Sequence, residues 1–216
     1  MRTWMAVPAL LPAVLFLAAC GDPTANYTKA KTEAAKDAPK DTGTGKLLSF
    51  SNDGSKLNFL GAKVTTEHPG GFDKFSGTVK LSGDDKNVAQ VEVNIDMTTL
   101  WAAEKGKGKE DTIEDLTKHL KSPDFFDVEK FPTARFMTTE IKAGGEGGTH
   151  TVTGNLTMRD VTKSITFSAT IKVENDTATA QAKFKITRQD WGIVYKGKAD
   201  DLIRDDVGLE FDIVAK

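Results

Sequence analysis

The chain has 216 residues, of which 38% are hydrophobic and 28% are charged, and its formal net charge at pH 7 is -2. This balance is typical of a globular domain, and it lacks the basic excess that indicates a nucleic-acid-binding protein. The single cysteine excludes a disulfide within the chain, so a hydrophobic core has to stabilise the fold.

The first 19 residues have the layout of an export signal. Arg2 precedes a mostly apolar stretch from Met5 to Ala19, which is shorter than the roughly 20 residues that a membrane-spanning helix needs. The run LAACG at residues 17–21 resembles a bacterial lipobox, which implies that Cys20 becomes the acylated N-terminus of the mature chain. The alternative is an ordinary cleaved signal that contains a cysteine by chance.

An acylated Cys20 predicts a lipid-anchored protein on the periplasmic side of a bacterial membrane. No later apolar run is long enough to span a bilayer. Gly21 stands where some bacteria place an aspartate that resembles an inner-membrane retention signal. Because this chain has Gly21 there instead of aspartate, the outer membrane is favoured.

Residues 20–46 are predicted to be a flexible tether. This segment is rich in Thr, Ala, Lys and Asp, contains Pro23 and Pro39, and has Tyr27 as its one large apolar side chain. Such a composition buries too little surface to offset the entropy of ordering the chain. At random-coil dimensions the tether reaches on the order of 30 Å, which would lift the domain off the membrane.

From residue 47 to residue 216 the pattern changes to alternation of apolar and polar residues, the period of a half-buried strand. Eight runs show it, at residues 57–59, 75–81, 91–95, 133–141, 152–158, 165–173, 178–186 and 207–213. Short connections between the runs indicate antiparallel neighbours. Eight such strands can close into a barrel, although a two-sheet sandwich would show the same alternation.

One segment between the third and fourth runs is predicted to be helical. Thr112 is placed as an N-cap with Asp115 three residues later, and Ile113, Leu116 and Leu120 share one helical face. Ser122 precedes a proline and ends the helix. A short helix on a long connection is expected to cover one end of the barrel.

Four blocks of the chain resemble the signature of the YceI-like family. They comprise residues 70–77 (GGFDKFSG), 115–136 (beginning DLTKHLKSPDFFD), 153–163 (TGNLTMRDVTK) and 188–193 (RQDWGI). The resemblance implies a lipocalin-like antiparallel β-barrel around an elongated apolar cavity. It further implies a periplasmic protein that binds polyisoprenoids, isoprenoid quinones or similar amphiphiles, with no catalytic residues.

The inward positions of the alternating runs and of the helix are the expected cavity lining. They are Phe59, Phe75, Val79, Val91, Val93, Leu116, Leu120, Phe136, Leu156, Phe167, Ala180, Phe184, Leu209 and Phe211. The small residues Ala178, Ala180, Ala182, Gly77 and Gly154 are expected to leave room inside. For any single position, packing against the other side chains is the favoured interpretation, since eight-stranded interiors are often filled. For the set as a whole, the family resemblance favours a cavity.

Lys118, His119 and Lys121 lie beside the predicted helix end and are candidates for contacting the polar head of a lipid. The alternative is a solvated helix end. The three histidines show no metal-binding spacing, and no serine or cysteine of the domain lies in a nucleophile motif. We therefore expect no metal, no catalytic residue and no cofactor other than a bound lipid or quinone as ligand.

Three functions remain open from the sequence. The leading one is a non-enzymatic carrier or reservoir for an isoprenoid amphiphile, with the lipid and the membrane as partners and no nucleic acid. The second is a periplasmic stress-response or interaction domain whose barrel is filled by its own side chains. The third is an enzyme that uses the barrel as a substrate pocket. A homodimer is compatible with the sequence, which carries no signal for one.

Overall fold

The computed structural model describes residues 21–37 and 45–216. The predicted signal and Cys20 lie outside these residues. Over the described ranges, none of the helices is long and apolar enough to cross a lipid bilayer. The strands and the one α-helix of this part are β1 (Thr28–Lys29), β2 (Lys31–Ala34), β3 (Leu47–Ser51), β4 (Lys56–Ala62), β5 (Glu67–Phe72), β6 (Phe75–Leu81), β7 (Val88–Asp96), β8 (Leu100–Ala102), α1 (Glu114–Lys121), β9 (Thr133–Ala143), β10 (His150–Met158), β11 (Val161–Glu174), β12 (Thr177–Thr187), β13 (Gly197–Lys198), β14 (Asp201–Leu202) and β15 (Asp206–Ala215).

The fold is all-β and consists of one long, curled, largely antiparallel sheet. Within the described residues, eleven strands follow one another in the order β3-β6-β7-β9-β10-β11-β12-β15-β4-β5-β8, and β13 and β14 form a separate small ladder. Main-chain hydrogen bonds of 2.9 and 3.0 Å join Ser49 of β3 to Lys216, the residue that follows β15. The sheet therefore curls back on itself and encloses an interior.

The eight alternating runs all fall in strands, namely β4, β6, β7, β9, β10, β11, β12 and β15. The predicted count of eight is nevertheless too low for the sheet in the described residues, because β3, β5 and β8 extend its path. The alternation pattern does not predict β5, because its sequence contains Pro69, Gly70 and Gly71. A Cβ atom at Gly70 would lie 2.1 Å from the Phe59 ring, so the aromatic side chain of the neighbouring strand occupies the space that a side chain would need.

The short helix is present as α1, but its start differs from the prediction. Ile113 is the N-cap and makes no side-chain capping bond, while the Thr112 hydroxyl donates to the Lys109 carbonyl oxygen. The helix is fixed instead by the sheet: the Ala102 amide donates to the Thr117 hydroxyl at 3.1 Å. Ser122 ends it as expected.

The curled sheet has two distinguishable ends. At the lid end lie α1, the turn at residues 63–66 and the loop at residues 192–205. The Tyr195 ring lies 4.9 Å from the His119 ring, and the Val64 amide donates to the Leu202 carbonyl oxygen at 3.0 Å. The turns at residues 82–87, 144–149 and 175–176 mark the opposite end.

Residues 21–37 form an N-terminal strap that fills a gap in the sheet. β11 and β12 pair directly only near their shared turn, from Thr170–Gln181 to Glu174–Thr177. Towards the lid end, β1 pairs in parallel with β12, and β2 pairs antiparallel with residues 163–166 of β11. The strap therefore supplies hydrogen-bond partners to main-chain groups that the two diverging strands do not offer each other.

Tyr27 attaches the strap to the outer face of β12 and β15. Its side chain is 7% exposed, and its hydroxyl donates to the Glu210 carboxylate. The ring packs against Gly208, where a Cβ atom would come within 2.6 Å of Tyr27 Cε1. Lys183 Nζ lies 4.2 Å from the ring centroid and makes a cation–π contact with it.

Polar contacts hold both ends of the strap. Lys185 Nζ lies 3.2 Å from Asp22 Oδ2 and 3.3 Å from Asp206 Oδ2. Burial opposes the charge on Lys185, but the two carboxylates outweigh it and raise its pKa above its usual value. At the other end, the Asn155 amide group donates to the Lys36 carbonyl oxygen at 2.7 Å and accepts from the Lys36 amide at 3.0 Å.

The prediction of a flexible tether is therefore wrong for residues 21–37. It rested on the lack of large apolar side chains, yet the strap buries Thr24, Tyr27 and Ala30 and attaches its remaining polar residues to the sheet. The rest of the predicted tether, apart from Gly45 and Lys46, lies outside the described residues.

Gly208→Ala should loosen the strap, because the new methyl group has no space beneath the Tyr27 ring. We expect a loss of about 1–3 kcal/mol in the free energy of unfolding, the usual range for overpacking. Trypsin should also cleave native protein faster after Lys29, Lys31 and Lys36. Urea denaturation and a timed digest measure the two effects.

Gly61→Ala is the matched control, since a Cβ atom there has its nearest neighbour 3.9 Å away. It should leave cleavage unchanged and shift stability by no more than about 1 kcal/mol. Equal behaviour of the two variants would show that Tyr27 is not docked on Gly208.

Candidate ligand-binding site

The inward side chains of the sheet surround an apolar cavity of about 190 Å³. At roughly 15 Å³ for each water-sized group, the cavity has room for on the order of a dozen groups of that size. Most of the residues predicted to line it do so, namely Phe59, Val79, Val91, Val93, Phe136, Leu156, Phe167, Ala180, Phe184, Leu209 and Phe211. Alternation along the strands is what places them on one face.

Three predicted lining residues do not reach the cavity. Phe75 is buried in the core cluster beside it, and Leu116 and Leu120 lie half-buried on α1. The side chain that this part of the chain contributes to the cavity wall is Phe126, which follows the helix. The helix therefore positions the wall residue rather than supplying it.

Two further lining residues, Met97 and Ile193, come from segments without a clean alternation, which is why the sequence did not reveal them. Met97 lies in a single 3-10 turn after β7, and Ile193 follows the 3-10 turn Arg188–Trp191. In the sequence, the only signal for Ile193 is its place in the block RQDWGI. Trp191 of the same block is fully buried, and its indole donates to the Leu156 carbonyl oxygen at 3.0 Å.

The two inward glycines do not widen the cavity as expected. A Cβ atom at Gly77 would lie 2.3 Å from the Phe50 ring, and one at Gly154 would lie 2.4 Å from the Phe136 ring. Each glycine lets an aromatic ring cross its strand, so the ring fills the space that the missing side chain leaves. The room comes instead from Ala178 and Ala180, which line the cavity.

Few lining residues carry a polar side chain, and the two best-buried ones are already bonded. The Thr138 hydroxyl, on a residue 2% exposed, accepts from the Val91 amide at 2.9 Å. Arg188 donates to the carbonyl oxygens of Ile193 at 2.7 Å and Arg204 at 3.1 Å. Among the described lining residues Thr179 is the remaining polar one, so the wall offers a ligand mainly apolar contact.

Arg188 fastens the loop at residues 192–205 to the lid end of the cavity. Its guanidinium lies 2.9 Å from Asp205 Oδ1, and the residue is only 5% exposed. Burial lowers the pKa of Arg188, and the Asp205 carboxylate acts against this shift. Each donor faces a loop oxygen, so the side chain holds the loop in place and is not a free cation in the cavity.

The head-group candidates lie outside the cavity wall. Lys118 is exposed and Lys121 is partly exposed. The His119 ring packs edge-on against Phe125 and Tyr195 at 5.0 and 4.9 Å, and its Nε2 lies 3.0 Å from Asp124 Oδ2. His119 therefore joins α1 to the loop at residues 192–205. A role of the three residues towards a lipid head stays a prediction. Within residues 21–37 and 45–216, no three His, Cys, Asp or Glu side chains converge on a position for a metal ion.

Comparison with known proteins matches residues 49–215 to the family described as the YceI-like domain. A UPF0312 protein of Pseudomonas fluorescens is 31% identical over 147 residues, which are 65% of this chain and 71% of that protein. A UPF0312 protein of Yersinia enterocolitica is 37% identical over 100 residues, 46% of each chain.

Two solved structures share the fold. Burkholderia cenocepacia BcnA is 22% identical with a TM-score of 0.60, and the match covers 77% of this chain and 99% of that one. A polyisoprenoid binding domain from Saccharophagus degradans, described as implicated in plant cell wall breakdown, is 16% identical with a TM-score of 0.58 over 79% and 99% of the two chains.

Replacing Arg188 with Ala should destabilise the fold by about 3 kcal/mol, because buried carbonyl oxygens and Asp205 lose a charged donor. Arg188→Lys should restore little of this, since one ammonium group cannot replace the forked guanidinium. Arg135→Ala, which removes an exposed pair with Glu92, should cost at most about 1 kcal/mol in the same denaturation experiment. A small effect at Arg188 would mean that the loop does not depend on it.

Proposed function

This chain belongs to the YceI-like domain family, and from that premise we propose that it binds an isoprenoid amphiphile without altering it chemically. The ligand is a polyprenyl lipid or an isoprenoid quinone, held for transport or storage in the cell envelope. The observation that carries the proposal is the apolar cavity, whose wall presents almost no free polar group.

A polyisoprenoid suits such a cavity because it is a long apolar chain with a small polar head. Burial of apolar surface contributes about 25 cal/mol per Å² before the entropy of binding is subtracted. The branched methyl groups of an isoprenoid match a wall of Val, Leu, Ile and Phe side chains. The Saccharophagus degradans domain, which has the same fold, is a polyisoprenoid binding domain by its description, and this supports the same ligand class here.

The arrangement of polar groups supports binding rather than catalysis. General acid–base or nucleophilic chemistry needs a side chain that is free to meet the reacting atom. The Thr138 hydroxyl is engaged by Val91, and the Arg188 guanidinium by the loop that follows it. Among the described residues, the cavity lining thus offers no acid, base or nucleophile that is free to react.

The proposed location in the cell envelope is supported by the N-terminal sequence. The apolar stretch before Cys20 and the lipobox-like LAACG run support an acylated anchor on the periplasmic side, with the outer membrane favoured by Gly21. A protein held there meets membrane lipids directly, which suits a carrier or reservoir.

Filling the cavity should reduce lipid binding. Ala180→Phe places a ring in the space beside the small inward residues of β12, and we expect less polyprenyl lipid or quinone in organic extracts of the purified protein. Native mass spectrometry of the protein gives the stoichiometry, and circular dichroism checks the fold.

Gln181→Phe is the control, since its side chain is exposed on the opposite face of the same strand. It should retain the full lipid content. Equal lipid in both variants would place the ligand outside the cavity. Wild-type protein that carries no lipid from its host and binds no added ubiquinone or polyprenol would instead favour an interaction domain with a closed barrel.

Cys20→Ser should abolish acylation. The variant should then appear in soluble fractions or stay as uncut precursor, because each buried methylene of an acyl chain contributes about 0.8 kcal/mol to membrane binding. Fractionation and the mass of the N-terminal peptide measure this. Unchanged membrane association without an acyl mass would rule out the anchor.

A further inference from the structure

The strap brings the start of the mature chain close to the lid end of the domain. Asp22 pairs with Lys185, and Lys185 also pairs with Asp206, the first residue of β15 at that end. Cys20 is two residues before Asp22, so their Cα atoms are at most about 7 Å apart. A lipid on Cys20 would therefore hold the domain directly against the bilayer with little slack.

Exposed apolar side chains concentrate at the same end. Among the described residues, the large hydrophobic side chains with the greatest exposure are Leu47, Val64, Val194, Tyr195 and Leu202. All but Leu47 lie on the turn at residues 63–66 or the loop at residues 192–205. These two segments touch, since the Val64 amide donates to the Leu202 carbonyl oxygen at 3.0 Å.

The apolar tip, defined as Val64, Val194, Tyr195 and Leu202, is firmly supported from below. The Tyr195 ring packs on His119 and Phe125, and Arg188 holds the carbonyl oxygen of Ile193, the residue before Val194. Ile193 and Arg188 also line the cavity. The tip is therefore a rigid apolar surface built on the lid end of the cavity, rather than a frayed loop.

From these placements we infer that the lid end is a membrane-docking surface, with the apolar tip inserted among the lipid head groups. This inference rests on the proposed acylation of Cys20, and it names the bilayer surface as the occupant. Exposed apolar side chains at one place mark an interaction site, and the position of the anchor selects the bilayer as the partner. Docking in this orientation would put the lid end of the cavity next to the membrane lipids.

Site-directed fluorescence tests this orientation. The acylated protein has no free thiol at Cys20, so Val194→Cys and Leu47→Cys each introduce one thiol for a nitrobenzoxadiazole label. The two positions are matched, because Val194 is 61% exposed and Leu47 is 64% exposed. Leu47 pairs with Lys80 near the opposite end of the sheet. Each labelled protein is reconstituted into vesicles of phosphatidylethanolamine and phosphatidylglycerol that contain a spin-labelled lipid.

The label at Val194 should shift its emission to the blue and be quenched several-fold more strongly than the label at Leu47. Equal quenching of the two labels, or stronger quenching at Leu47, would overturn the docking surface while leaving the anchor and the cavity intact. The N-terminal peptide is weighed from the same sample. Absence of the acyl mass would overturn the anchor and the orientation inferred from it. The amount of lipid extracted from the cavity is measured separately.

Discussion

An apolar cavity can be enclosed by a sheet only if every main-chain group of its wall finds a hydrogen-bond partner. An unpaired amide or carbonyl group facing a dry interior costs about 1–3 kcal/mol. Between most neighbouring strands, the antiparallel ladders supply these partners. Where β11 and β12 diverge, the two strands cannot hydrogen-bond to each other directly. The strap completes the ladder there, with Ala30 buried in the core cluster behind it. The continuity of the cavity wall between β11 and β12 depends on this insertion.

The same requirement explains how the cavity keeps its shape at the lid end. The loop at residues 192–205 has only the two-residue strands β13 and β14, so its carbonyl oxygens need another donor. Arg188 supplies it from the end of β12, and Trp191 adds a hydrogen bond to β10 through the Leu156 carbonyl oxygen. A charged side chain thus stabilises the loop and leaves the cavity wall apolar.

The sequence predicted the features that alternation controls and missed those that depend on contacts between distant segments. The period of two identified eight strands and eleven of the residues that line the cavity, since the inward positions of a strand are mostly apolar whatever lies opposite. The strap was missed because its polar residues pair with Lys185, Asp206 and Asn155, which lie far from it in the sequence. Nothing local to residues 21–37 indicates those partners.

The glycines show the same limit. Gly77 and Gly154 are small and face inward, which suggested open space, but the Phe50 and Phe136 rings lie across them. Only the pairing of β3 with β6 and of β9 with β10 reveals this. Phe126 was missed for a related reason, since it reaches the cavity from a connection whose path is set by α1 packing on β8.

An experimental structure of the protein purified from its own cell envelope tests the central claim most directly. The account predicts continuous density of a branched apolar chain inside the sheet, in contact with Phe136, Leu156 and Phe211. A cavity that is closed by repacked side chains, with no ligand density in protein that was never exposed to detergent, would contradict it.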